Sequence, residues 1–311
     1  MLAATHLGVA PMAESLANLS DAFADAADRA ANATVLVDAR ARLPATGIAW
    51  SNNLVLTATH VVERDDDIRI GLPSGDVLPA ELVGREPGSD IALLRVDSET
   101  LSPARHAPLE DVRVGHLVLA LGRPGPGGHS ASLGAVSAMG GPWRTFRGLI
   151  VQRHLRADIT MFPGFSGGPL VDVHGRVIGM NSSALGRGSG LTIPLESVAP
   201  IVEALASQGH VRRGYLGIST QAVRLSPPLT DAAGYGSETG LLVSAIEPGS
   251  PADTAGVLVG DIVVGFDAAV IATTDDLQAQ LGPASVGTQA PLRVLRGGEL
   301  HALGVLVGER A

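Results

Sequence analysis

The residue of this chain best suited to chemistry is a serine in a glycine-rich turn. It is Ser166, in the run Pro163-Gly164-Phe165-Ser166-Gly167-Gly168-Pro169-Leu170. A hydroxyl is a weak nucleophile near neutral pH, so a reacting serine needs a base beside it. The run satisfies G-x-S-x-G, the elbow of α/β-hydrolases, in which a strand turns sharply into a helix and the partners follow in the order Ser, Asp, His. Here the run leads into PLVDVHGRVIGMN, whose Pro169 and alternating apolar residues read as a strand. Downstream, His174, His210 and His301 fall in turn or linker contexts. The elbow is therefore rejected.

A serine can also be served by a His and an Asp that precede it. LVLTATHVV places His60 at the end of an apolar strand, and GSDIALLRV places Asp90 30 residues later, just before another. Singly, a lone His reads as structural and an Asp opening a strand as a turn residue. Jointly, three independent contexts agree in order and spacing, and the structural readings fail together.

Other candidates are weaker. GRPGPGGHSASLG (122–134) is glycine-rich but has no Lys-Ser/Thr pair, and its prolines remove N–H groups that would cradle a phosphate. The 9 His include no H-E-x-x-H, so no metal site is expected. ERDDD (63–67) reads as a solvated turn.

The elements that must position these residues are mostly short strands. Residues 13–31 form a helical pattern, with Leu16, Leu19, Phe23 and Ala27 on one face. From Thr34 onward, two runs of about six short segments, rich in β-branched residues and bounded by Gly, Pro, Asp and Asn, suggest two small β-barrels. ESVAPIVEALASQGHV then reads as one helix closed by Gly209. A third unit opens at RRGYLGIS, with strands, a short helix at SPADTAG, a helix at TTDDLQAQLG and a last strand pair.

The totals agree. At 311 residues the chain is long enough for two or three domains, and 39 Gly with 20 Pro lean towards many turns. A net charge of −9, no basic run and 3% aromatic residues argue against nucleic acid. Without cysteine there is no disulfide, thiolate site or Cys nucleophile. No signal-like segment or apolar stretch of membrane length is visible. The expectation is a cytoplasmic protein, or an extracytoplasmic one whose leader was removed.

LTATHVV, SDIALLRV, LRADITMFPGFSGGPLVD, GRVIGMN, RRGYLGI and PGSPADTAGVLVGDIVV, in that order, resemble the motifs of HtrA/Deg-type trypsin-like serine proteases with one C-terminal PDZ domain. The likeness runs from about residue 30 to the end. It implies a double β-barrel protease domain at 32–210 and an α+β PDZ domain at 211–311, after an N-terminal helical segment at 1–31 that helps to form a trimer. By position, Ser166 is the nucleophile, His60 the base and Asp90 its orienter, with an oxyanion hole from the backbone of Gly164 and Ser166. Thr160, Met161, Met180, Asn181 and Ser182 are expected to line the primary pocket. No acid is offered there, so small or medium apolar side chains such as Val, Ala or Leu are expected. Tyr215, Leu216, Gly217 and Ile218 would hold the carboxylate and backbone of a C-terminal peptide, with Leu277 and Leu281 beside its last side chain. Trp143, Arg144 and Arg147 match a loop that senses that peptide.

The implied function is ATP-independent cleavage of unfolded or damaged protein, without cofactor or metal and regulated by peptide binding. The alternative is a catalytically silent holdase or peptide-binding scaffold. Two departures stand out. Phe165 occupies a place usually held by Asn, and Leu155-Arg156-Ala157-Asp158 replaces a run of Ile-Gln-Thr-Asp. Both bear on the resting geometry of residues 161–165. The segment between the first two strands is short, lacking the family's long cage-building insertion, which favours a simple trimer.

Overall fold

The computed structural model describes residues 9–310 except 142, 145–149, 152, 186–190 and 235–236. Contacts divide the chain into two compact units, Met1–His210 and Val211–Ala311.

The first unit begins with α1 (Val9–Ala31), which starts earlier than its apolar pattern suggests. Its last turns bury Ala26, Ala27, Ala30 and Ala31, small side chains that let the helix lie close to the strands beneath. Leu16 and Leu19, further up the helix, are exposed. Six strands then close into a barrel: β1 (Thr34–Asp38), β2 (Ala45–Ala49), β3 (Leu54–Ala58), β4 (Ile68–Gly71), β5 (Val77–Glu86) and β6 (Ile91–Val96), in the order β1-β2-β3-β6-β5-β4. Closure removes free sheet edges and leaves one interior, filled by Ile48, Leu56, Ile68, Ile70, Ile91 and Leu93 among others.

A second barrel follows: β7 (Leu117–Gly122), β8 (Ser130–Gly140), β9 (Trp143–Arg144), β10 (Ile150–Val151), β11 (His154–Ala157), β12 (Pro169–Val171), β13 (Val177–Ser182) and β14 (Leu191–Pro194). Strands β9 and β10 form a separate ribbon, and the rest close as β11-β14-β13-β12-β7-β8. Helix α2 (Leu195–Gln208) buries Leu195, Val198, Val202 and Leu205, at spacings of three and four, against strands of both barrels.

The second unit contains β15 (Arg213–Tyr215), β16 (Ile218–Arg224), α3 (Pro227–Ala233), β17 (Thr239–Ile246), α4 (Pro251–Thr254), β18 (Ile262–Phe266), β19 (Ala269–Val270), α5 (Thr274–Gln280), β20 (Gln289–Arg296), β21 (Glu299–Leu306) and β22 (Gly308–Arg310). The main sheet runs β16-β17-β18-β20-β21, so β16 lies at its edge, while β15 pairs with β22. Helix α5 opens on a reciprocal cap between Thr273 and Asp276. Helix α3, preceded by Ser226 with Pro227 at its first position, was not among the sequence-based expectations, although that start signal is present.

Asp261 enters β18 at 1% exposure and is gripped by Arg296, whose Nε and a terminal nitrogen donate to its two oxygens at 2.8 Å each. The Leu258 N–H donates to it as well, at 2.8 Å. Burial pushes the Asp261 carboxyl up, but the Arg296 hydrogen bonds, the Leu258 N–H and the Arg296 charge together outweigh burial and hold it below its ordinary value. A lowered folded-state value stabilises the fold fully above the unfolded value near about 4, and the gain is lost as pH falls through the lower folded value. Urea unfolding of the full chain should therefore weaken with acid below about pH 4. Asp261→Asn should flatten that slope, and parallel slopes for the two proteins would remove Asp261 from this role.

Candidate active site

The register of the first barrel brings His60 and Asp90 together. Strands β3 and β6 pair antiparallel with Ala58 opposite Ile91, so the residues just after β3 meet the residue just before β6. A single 3-10 turn, Thr59–Val61, follows β3 and carries His60. Asp90 sits at φ 58, a left-handed conformation that costs most side chains about 1–2 kcal/mol and suits Asp better than most. The pose is held from several sides. The Thr59 N–H donates to the Asp90 carbonyl at 3.0 Å. The Asp90 carboxylate accepts the His60 N–H at 2.9 Å, His60 Nδ1–H at 2.8 Å and the Ser182 hydroxyl at 2.6 Å. At 4% exposure this carboxylate needs such donors, because a buried charge without partners is strongly destabilising. Since an ionised carboxylate only accepts, Nδ1 carries the proton and Nε2 offers a lone pair.

The second barrel supplies Ser166. The turn before β12 is closed by Phe165 N–H to Phe162 O at 3.1 Å and Gly168 N–H to Phe165 O at 2.9 Å. It is stitched to β13 by Gly167 N–H to Asn181 O and Asn181 N–H to Gly168 O, both 2.8 Å. Gly167 has φ 83, and a Cβ there would stand 2.2 Å from Thr46 O, so no other residue fits. Thr46, from the first barrel, donates its hydroxyl to Gly164 O at 2.6 Å and accepts the Arg123 N–H at 2.8 Å. Among the described residues, neither the Gly164 N–H nor the Ser166 N–H donates within the protein. Two open donors beside a serine are what a developing oxyanion requires.

Ser166 is 7% exposed, and its Oγ lies 2.9 Å from Ser183 Oγ and 3.3 Å from the Ser183 N–H nitrogen. Ser183 Oγ in turn lies 3.4 Å from His60 Nε2. His60, Asp90 and Ser166 therefore meet in one hydrogen-bonded chain, but among the described residues no direct bond joins Ser166 to His60. Ser183, which the sequence reading passed over, stands between them. Nothing in the run Asn181-Ser182-Ser183 marks which hydroxyl faces the nucleophile.

The expected pocket residues divide. Met180 is wholly buried. Asn181 is buried too, with Oδ1 accepting the Thr192 hydroxyl at 2.7 Å and Nδ2 without a partner among the described residues. The Ser182 hydroxyl is committed to Asp90. Thr160 is exposed, and Met161 is half-buried on the core of the second barrel. Trp143 and Arg144 lie in the short strand β9, and Arg147 falls outside the described residues. Among the described residues, no cluster of His, Cys, Asp and Glu is built to hold a metal ion.

In the second unit, Leu216 O and Gly217 O are taken by the N–H groups of Ala252 at 2.9 Å and Glu247 at 2.8 Å. Among the described residues, the N–H groups of Leu216 and Gly217 have no acceptor in the protein. Tyr215 donates its hydroxyl to the Glu247 carboxylate. Ile218 opens the edge strand β16, against which α5 packs. Leu277 is a core residue at 4% exposure, and Leu281 packs on that core while only partly buried.

Comparison with known proteins places these two sites in context. The chain matches the trypsin-like peptidase domain over residues 45–180 and the PDZ domain over residues 214–307. It is 34% identical over 267 residues to a probable periplasmic serine endoprotease, DegP-like, of Halomonas elongata, covering 84% of this chain and 55% of that protein. A DegP-like endoprotease of Pseudomonas putida is also 34% identical, over 266 residues, with 84% and 54% covered. The chain thus spans about half the length of these relatives. Among solved structures, the HtrA-type protease AlgW with a decapeptide superposes with a TM-score of 0.75 at 27% identity, covering 93% of this chain and 99% of that one. A serine endoprotease from Yersinia pestis gives a TM-score of 0.75 at 28% identity, covering 93% and 98%.

Phe165, the unusual residue beside Ser166, is 1% exposed and belongs to the core of the second barrel. Its ring meets Phe162 edge-on at 5.4 Å. It lies on Gly122, where a Cβ would come within 2.3 Å of the Phe165 ring. The turn that carries Ser166 is thereby anchored by a large apolar side chain. Truncation by Phe165→Ala should cost about 3–5 kcal/mol of stability, measured by urea unfolding. A loss below about 1 kcal/mol would show that the anchor is not structural.

Proposed function

We propose that this chain, a member of the HtrA/Deg type of trypsin-like serine proteases, is a serine endopeptidase acting on unfolded or damaged protein. The observation that carries the reading is the buried Asp90 carboxylate on His60 Nδ1, which leaves Nε2 as a base on the side of Ser166. Ser166 Oγ attacks the scissile carbonyl while its proton passes to His60 Nε2, then on to the leaving amine. Asp90 keeps the imidazole in the required tautomer and stabilises the imidazolium. The free N–H groups of Gly164 and Ser166 receive the oxyanion, each such donor being worth roughly 3–4 kcal/mol in comparable sites. Water then releases the acyl group by the same steps in reverse roles. Thr160 and Met161, the expected pocket residues that are not fully buried, carry no charge, which supports cleavage after small or medium apolar residues. The periplasmic naming of the relatives supports an extracytoplasmic setting.

Ser166→Ala is expected to lower casein cleavage by about 10³-fold or more while leaving the fold intact. Retention of near-wild-type cleavage by that variant would remove Ser166 from the role of nucleophile, and no cleavage by the wild-type chain would return it to the class of holdases and scaffolds.

The second unit is assigned the binding of a peptide C-terminus. The free N–H groups of Leu216 and Gly217 suit a carboxylate, and the edge of β16 suits an added strand. Occupancy of that groove is assigned the role of raising protease activity. Peptides ending in an apolar residue with a free carboxylate should bind, and their amides should lose most of that affinity, read by fluorescence polarisation. Equal affinity for acid and amide would rule out the carboxylate loop. Binding without a change in casein cleavage would reduce the unit to a tether.

A further inference from the structure

Ser183 makes three contacts that the catalytic scheme does not use. Its N–H points at Ser166 Oγ at 3.3 Å, its Oγ is 2.9 Å from Ser166 Oγ, and the same Oγ is 3.4 Å from His60 Nε2. The directions of these bonds follow from their neighbours. His60 Nδ1–H is committed to Asp90, so Nε2 accepts from the Ser183 hydroxyl. Ser183 Oγ is then left to accept from Ser166, while Ser166 Oγ accepts the Ser183 N–H.

The pose of Ser183 is set by the triad itself. On its N-terminal side the Ser182 hydroxyl donates to Asp90 at 2.6 Å. On its C-terminal side the Ala184 N–H donates to that same Ser182 hydroxyl at 3.2 Å. Asn181 is tied to the serine turn at 2.8 Å through Gly167 and Gly168. The backbone on either side is thus fixed, whereas the Ser183 side chain is exposed and has a single torsion with three staggered positions open to a serine.

Attack by Ser166 requires its proton to reach Nε2, which needs a direct separation of about 2.6–3.2 Å. That place on the base is filled here by another hydroxyl. We propose that Ser183 is a positioning residue that holds the nucleophile in a resting state. Its hydroxyl occupies the site on His60 that Ser166 must take, and the productive arrangement forms when the Ser183 side chain rotates away. This rests on Ser166 being the nucleophile, as inferred above.

The test uses the full chain as wild type, Ser183→Ala, Ser183→Thr and Ser166→Ala. The first readout is the rate of labelling by a small fluorophosphonate. In that reaction a P–Oγ bond forms at Ser166, the P–F bond breaks, fluoride leaves and the proton goes to His60. The second readout is the split between kcat and KM on a casein-derived peptide. With the competing hydroxyl removed, Ser183→Ala should label roughly three- to tenfold faster than wild type, the equivalent of one weak hydrogen bond. Its kcat should rise with KM little changed. Ser183→Thr, which keeps the hydroxyl, should stay near the wild-type rate. Unchanged melting temperatures are expected, because Ser183 is exposed. Equal or slower labelling of Ser183→Ala overturns the inference, and slower labelling would make Ser183 a proton relay. Labelling of Ser183→Ala alone supports it. Labelling of neither protein, or of Ser166→Ala as readily as wild type, sinks the protease reading and this inference with it.

Discussion

A buried carboxylate sets the terms for the first unit. Asp90 takes donors from both barrels: the backbone and ring of His60 from the turn after β3, and the hydroxyl of Ser182 from the end of β13. A charge taken out of water needs every one of these, since losing a partner leaves an uncompensated ion. The demand is met although Asp90 sits in a left-handed backbone conformation. The carboxylate also fixes the imidazole tautomer, so a bond that reaches across to the second barrel through Ser182 also suits His60 to the proposed role of base.

Ser166, the proposed nucleophile, is positioned by a different kind of force. Ser166 rides on a turn with few degrees of freedom left. Apolar packing holds it from below through Phe165 on Gly122, and backbone pairing to Asn181 holds it from the side. Thr46 reaches across from the first barrel to take up Gly164 O and the Arg123 N–H at once. Packing and hydrogen bonding therefore engage most carbonyls of this turn and, among the described residues, leave two of its N–H groups without an acceptor. The second unit repeats that arrangement at Leu216 and Gly217, where the carbonyls are engaged and, among the described residues, the N–H groups have no acceptor.

Much of this was legible in the sequence, for identifiable reasons. His60, Asp90 and Ser166 stand beside short strands that are almost continuously apolar, so their contexts carry information beyond their identity. The two barrels followed from the regular recurrence of short strands, and the end of α2 from Gly209. Helix α3 went unread although Ser226 and Pro227 signal its start, because a seven-residue helix has too few turns to show a period. The roles of Ser182 and Ser183 were hidden for a stronger reason. Their bonds to Asp90 and His60 span 92 and 123 residues, and no local pattern records which of two adjacent hydroxyls faces which partner.

Those separations bear on how the molecule comes into being. A chain leaves the ribosome N-terminus first, at a pace slow compared with local folding. His60 and Asp90 emerge early and are able to pair within the first barrel, 30 residues apart. The hydroxyl that completes the carboxylate's coordination arrives 92 residues after Asp90, with the strand that also receives the serine turn. Until that strand is in place, the base has no fixed neighbour to deprotonate. Contacts this distant form late, because loop closure precedes their reward. On the proposed reading, a partly synthesised copy therefore holds the imidazole and its carboxylate before it holds the serine turn.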